Sequence, residues 1–223
     1  DDSALVTEIS NAMAWRADAL KIGGDVGGAL AQRQAQAKLL EKLLAREPRN
    51  APAQLAYSTA MRELGNMAIL SGQNSMAMQS IQTALATTAE LRNSDPQNAE
   101  YKLFEIMNRL DLAAVHLERC DQNGALVQIN SALPMLQSIP DPDKNLRQEK
   151  EQIDLQLQIF AFRGQMLAGN GGELSGALRD LIDQKSKTMA RMKPGRDDPL
   201  HFARAEIALG DSFVLAGDRP QAA

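Results

Sequence analysis

Cysteine is nearly absent from this chain. Cys120 is the only one in 223 residues, so no intrachain disulfide can staple the fold. A single thiol fits a reducing cytoplasm slightly better than a periplasm, and is compatible with both. Aromatic residues make up only 4%, with one Trp. Stretches rich in Val, Ile and Thr are scarce, which leaves strands little support. No run of about 18 apolar residues occurs, so no segment is built to insert in a membrane as a helix. The opening "DDSALV" has no signal-peptide pattern. A basic excess is missing too: 24 Lys and Arg stand against 28 Asp and Glu, for a net charge of -4. A nucleic-acid-binding surface is therefore not expected.

What is present favours helices. Hydrophobic residues reach 44%, and the abundant ones include Ala, Leu and Met, with Gln beside them. None of these side chains is branched at Cβ, which suits helices and their close packing. The length allows one large domain or an array of small units.

Punctuation in the sequence selects the array. "REPRNAPAQ" at 46–54 is nearly repeated as "SDPQNAEYK" at 94–102, with Pro48 and Pro96, and Asn50 and Asn98, each 48 residues apart. A second mark recurs as "GDVGGA", "GQNSMA", "CDQNGA", "GELSGA" and "GDRPQA", which begin at Gly24, Gly72, Cys120, Gly172 and Gly217. Each carries an Ala five residues on: Ala29, Ala77, Ala125, Ala177 and Ala222. Seven residues before each mark stand Ala17, Gly65, Ala113, Gln165 and Gly210, small in all but one case. Pro48 and Pro96 stop a helix, since proline has no N–H to donate. Asn50 and Asn98 can cap the next one. The Gly mark ends a helix in the left-handed conformation, and the small residues let its partner helix cross closely.

Each unit thus reads as a helix A, a tight turn and a helix B. The units fall at about 1–47, 48–95, 96–143 and 144–197, with an incomplete one at 198–223. In the second, helix A is expected from Ala51 to Ser71 and helix B from Asn74 to Arg92. Helix B carries an apolar stripe of Ala77, Ile81, Ala84, Leu85 and Thr88. In the third, Tyr101, Phe104, Met107, Leu110 and Ala114 mark helix A, and Ala125, Ile129, Ala132 and Leu136 mark helix B. Pro134 is expected to kink or break that helix B.

A small residue, a turn Gly and an Ala at fixed offsets, joined by a Pro segment, resemble the tetratricopeptide repeat. "LGNMAILSGQNSMA" at 64–77 and "LGDSFVLAGDRPQA" at 209–222 are nearest to it. The usual unit is about 34 residues. The longer units here resemble the repeat tails of bacterial signalling proteins, including ones with kinase or transcription-regulator domains. The resemblance implies an all-α, right-handed solenoid of antiparallel helical hairpins, about four and a half units long. Cys120 and Gln165 depart from the pattern, and "AGNGGELSG" expands the fourth turn.

No set of residues marks a catalytic or metal centre, and no cofactor is expected. His116 and His201 lack neighbouring ligands and read as ordinary helix-surface or groove histidines. Cys120 stands in a turn with no base beside it. "GNGG" at 169–172 lacks the strand and the Lys-Ser/Thr of a phosphate loop. Asp141 and Asp143 lack the Gly and Glu of a calcium loop. The basic cluster of Lys185, Lys187, Arg191, Lys193 and Arg196 reads as cations at a helix C-terminus. The ten Met residues fall mostly on apolar stripes and read as core filling. Trp15 reads as core packing near Ala17.

The resemblance further implies that the A helices line a face that binds peptides or helices, with no catalysis. The family's groove offsets fall on Asn11, Ala14, Asp18 and Lys21, on Thr59, Arg62, Asn66 and Ile69, and on Met107, Leu110, Ala114 and Leu117. Arg62 with Asn66 is suited to a carboxylate or a peptide backbone. The expected function is a protein- or peptide-binding scaffold module of a larger bacterial signalling or regulatory protein. The alternative is a small-ligand sensor domain of a receptor or transcription regulator. The chain starts without Met and stops within a turn motif, so it is expected to be a piece of something longer. Helix A at about 198–216 would then lack a partner. Its Phe202, Ile207, Leu209, Phe213 and Leu215 predict a two-fold homodimer through this end.

Overall fold

The computed structural model describes residues 2–140 and, beyond them, residues 153, 154, 161, 180 and 183. Six helices run through the described residues: α1 (Asp2–Ile22), α2 (Val26–Arg46), α3 (Ala51–Leu70), α4 (Asn74–Ser94), α5 (Ala99–Glu118) and α6 (Gln122–Ser138). No strand occurs among them. The chain forms two compact units, Asp1–Val115 and His116–Ala223, and α5 passes from one to the other. The last two turn marks, the "GNGG" segment, Asp141, Asp143, the basic cluster, His201 and the apolar residues expected to form a homodimer at the C-terminal end lie outside the described residues.

Two kinds of joint alternate, each with its own chemistry. At the Pro-Asn joints the asparagine caps the following helix. Asn50 Oδ1 accepts from the Ala53 N–H at 3.0 Å, and Asn98 Oδ1 accepts from Tyr101 N–H at 3.2 Å. At the Gly joints the chain turns through one left-handed residue: Gly24 at φ 83°, Gly72 at φ 70° and Cys120 at φ 56°. The next N–H then returns to a carbonyl in the helix just ended: Asp25 to Leu20 at 2.9 Å, Gln73 to Ala68 at 2.8 Å and Asp121 to His116 at 2.8 Å. This closure satisfies carbonyls that a helix end otherwise leaves open.

The residue after each turn mark adds a cap. Asp25 accepts from the Gly28 N–H at 2.8 Å, and Asp121 from the Gly124 N–H at 2.9 Å. Glycine at the donor position leaves room for the carboxylate, since a Cβ on Gly28 would collide with Asp25, and one on Gly124 with Asp121 and His116. Where Gln73 takes the place of Asp, no side-chain cap forms and Met76 stands where the other turns have Gly. His116 Nδ1 lies 2.7 Å from Asp121 Oδ2. The Gly124 N–H, and after it the His116 imidazole, hold the Asp121 carboxyl below its ordinary range.

Packing within the first unit follows from small residues at the hairpins. Ala29 and Ala77, which follow its two turns, are fully buried, as Ala125 is in the second unit. A Cβ on Gly65 would come within 2.5 Å of Ile81 Cγ1 and 3.2 Å of the Ala77 carbonyl oxygen. Helix α3 therefore contributes no side chain at this crossing, and the Ile81 side chain of α4 packs directly on its backbone. One cluster joins Ala29, Leu30, Leu64, Met67, Ala68, Ala77, Ile81, Leu112 and Val115. Leu43, Ala53 and Val6 form a second, and Ala37, Leu40 and Ala60 a third. Helices α1 to α4 of this unit thus stack as two successive hairpins, with α5 packed on them through Leu112 and Val115, a TPR-like helical array.

Three local expectations need correction. Trp15 is 74% exposed, not core. Two positions from the buried Ala17 is about 200° around a helix, so the two residues face opposite sides. The apolar stripe expected along α5 is also displaced. Tyr101, Phe104, Met107 and Ala114 are half-buried, while Leu103, Ile106, Ala113 and Val115 form the buried face beside Leu110. Pro134 does not break its helix, because α6 continues through it to Ser138.

Two outcomes follow. Gly65→Leu should destabilise the chain by about 1–3 kcal/mol through overpacking against Ile81, measured as a lowered urea midpoint at unchanged helicity. Cys120→Gly should stabilise it by about 1 kcal/mol, because a side chain resists positive φ. An unchanged melting temperature would show that the turn relaxes at no cost.

Candidate functional site

In the first unit the A helices are neighbours, and their facing side chains carry the polar chemistry. Arg62 and Asn66 lie one turn apart on α3. Across from them is Asp111 of α5, which accepts from Asn66 Nδ2 at 3.2 Å and stands 3.7 Å from Arg62 Nη1. Arg62 Nη2 also donates to Glu63 Oε1 at 2.9 Å. The carboxylate that Arg62 and Asn66 are suited to hold is thus supplied by Asp111. These side chains are partly covered, with 15% of Arg62, 20% of Glu63 and 19% of Asp111 accessible. Arg62 Nε is buried and has no hydrogen-bond partner, so the guanidinium is under-used where it sits.

The other groove positions divide. Thr59 is half-buried, with its hydroxyl donating to the Leu55 carbonyl within α3 at 3.0 Å. Met107 is half-buried on α5. Ala14, Lys21, Ile69 and Ala114 are half-buried too, and Asn11 is exposed. Leu110 and Leu117 are buried core residues, so neither offers a surface. Asp18 is half open, and its carboxylate holds the buried Arg33 at 2.6 Å.

Beneath this face lie buried polar groups that periodicity alone does not reveal. Asn108 Nδ2 donates to Ser58 Oγ at 3.1 Å and to Thr88 Oγ1 at 3.0 Å. Ser58 Oγ in turn donates to the Ala84 carbonyl at 3.0 Å. One side chain of α5 thereby ties α3 to α4. Asn108 Oδ1 is buried without a partner. Glu105, wholly buried, is held between Arg92 of α4 and Arg109, the latter at 2.7 Å. In the first hairpin Arg33 also donates to Gln36 at 2.9 Å, and Gln36 donates to Ser10 at 3.1 Å. The available signal is the 48-residue offset: Arg33 stands in register with Ile81 and Ile129, both buried, and Asn108 with Ala60. A polar residue in register with buried apolar ones must bring its own partners.

No group of His, Cys, Asp and Glu among the described residues converges as a metal site. No helix among them is long and apolar enough to cross a membrane.

Comparison with solved structures places this arrangement. The chain is similar to a kinesin-light-chain-like protein of Podosopora anserina with nearly identical TPR-like repeats. One structure, of a single-substitution variant, gives a TM-score of 0.59 at 15% identity, covering 95% of this chain and 88% of that one. A second gives 0.58 at 14% identity, covering 95% and 89%. No family model and no curated protein matches the chain. The fold is that of a TPR-like helical repeat.

The two acidic positions of α5 should respond differently to truncation. Glu105→Ala should destabilise by about 3–5 kcal/mol, because it leaves partly buried guanidinium groups facing an empty site. Asp111→Ala should cost about 1 kcal/mol or less, as is usual for an ion pair that water still reaches. Equal losses in denaturant melts would contradict this division between core and face.

Proposed function

We propose that this chain is a non-catalytic scaffold module that binds a protein or peptide, within a larger bacterial signalling or regulatory protein. The observation that carries this reading is the Arg62–Asn66–Asp111 cluster on the adjoining A helices. A long 3.7 Å contact and an unpartnered Nε leave Arg62 able to exchange Asp111 for an incoming carboxylate. Such charge-assisted pairs are among the stronger polar contacts. Thr59 and Met107 flank the cluster and add one polar and one apolar contact, which suits an amphipathic segment. Asn11 extends the same register onto α1, and Asp18 adds its exposed edge, whereas Leu110 belongs to the core. Stacked helical repeats commonly use such extended faces for binding. The length of the units supports the bacterial signalling context through the resemblance to long-repeat tails.

The test is a selection of displayed amphipathic peptides, with and without a Glu or a free C-terminal carboxylate, against the chain. Carboxylate-bearing peptides should be enriched. Arg62→Ala should weaken them by about tenfold or more, the loss of one charge-assisted contact. Enriched peptides that ignore substitution at Thr59, Arg62, Asn66 and Met107 would defeat the reading, as would a selection that enriches nothing.

A further inference from the structure

Two carboxylates of the same chain crowd Arg62. Glu63 accepts from Nη2 at 2.9 Å. Asp111 stands 3.7 Å from Nη1, within charge contact and beyond a hydrogen bond. The stacking of A helices does not require this arrangement. A shift of 48 residues toward the N-terminus turns Arg62, Asn66 and Asp111 into Ala14, Asp18 and Glu63, where α1 meets α3. Alanine replaces the guanidinium there, Asp18 is turned to Arg33 and Glu63 to Arg62. The first A-helix joint thus closes without a cation at the position of Arg62.

We infer that Asp111 is a built-in competitor at the Arg62 site: its carboxylate holds the place of a partner's carboxylate and leaves when the partner binds. This rests on the reading that Arg62 receives such a carboxylate. A third carboxylate cannot join with both others in place, since one guanidinium would then face three negative charges. Asp111 is the one to leave. Arg62 Nη1 and Asn66 Nδ2 both converge on its Oδ2, so its departure frees two donors that already point to one place. A partner carboxylate inherits both. Departure of Glu63 would free Nη2 alone. The contacts given up are long, 3.2 Å from Asn66 and 3.7 Å from Arg62, and well-formed charge-assisted bonds are shorter. Until it leaves, Asp111 keeps the binding-competent form a minor one and lowers the apparent affinity by that fraction.

The test titrates the full chain by calorimetry with a selected Glu-bearing peptide and with its Gln counterpart. Asp111→Asn keeps an oxygen for Asn66 and removes the competing charge. It should tighten the Glu peptide by about tenfold and the Gln peptide far less, because an amide is the weaker acceptor for a guanidinium. Asp111→Ala should show the same gain, and both variants should keep the helicity of the unaltered chain. Glu63→Gln should give a smaller gain. In an Arg62→Ala background Asp111→Asn should give none, whereas a change in stability or in general charge would persist there. A Glu peptide that binds the unaltered chain through Arg62, yet is weakened or unmoved by Asp111→Asn, overturns this inference alone and makes Asp111 a group that positions Arg62. Equal gains from Glu63→Gln and Asp111→Asn overturn it as well, since charge alone would then act. A chain that binds no carboxylate peptide, with Asp111 or without it, defeats the carboxylate-binding role itself and this inference with it.

Discussion

The contact of α3 with α4 at Gly65 is the constraint on which the first unit's packing rests. Ile81 occupies the space a side chain at residue 65 would need, and the Ala77 carbonyl closes the other side. The two helices are joined across only three residues, from Leu70 to Asn74, so the turn between them is tight. Tightness in turn demands one left-handed residue, Gly72, and the backbone bond from Gln73 back to Ala68. The buried Ala77 follows because it lies where the second helix begins its approach. Small residue, left-handed turn and buried alanine are thus one requirement expressed at three positions. This is why they recur together along the chain.

That coupling also makes much of the fold legible in the amino-acid sequence. Residues tied to backbone geometry stand out, because few alternatives exist at each: Gly at positive φ, Asn at a cap, Ala at a crossing. Helix α3 begins at Ala51 and α4 at Asn74, where the punctuation places them. Side-chain polarity taken by itself is a poorer guide. Trp15 looks like core by composition, yet it stands in register with Glu63 and Asp111, two polar positions of the A-helix face. The inward face of α5 is hidden from a hydrophobicity pattern because Glu105 and Asn108 are polar and fully buried. In the candidate site, Arg62 and Asn66 are legible as a pair. Their tie to Asp111 is not, since it depends on how two helices 45 residues apart come to lie together.

The buried polar residues set the hairpins apart from one another. A chain of identical units can slip by one whole repeat and still bury apolar surface. Asn108 finds Ser58 and Thr88 only in the native register, and Arg33 finds Asp18 and Gln36 only in the first hairpin. A slip by one repeat would put Leu40 or Leu136 in the place of Thr88, and an unpaired buried amide is costly. Glu105 adds the same discrimination with charge, because its site is wholly buried and supplied with two guanidinium groups. These contacts contribute less to net stability than to the choice of one register over its neighbours.

The polarity of the A-helix face follows from the same 48-residue translation. The cluster at Arg62 lies where one A helix meets the next, so its polarity reflects a joint that is complete and still leaves a guanidinium nitrogen unpaired.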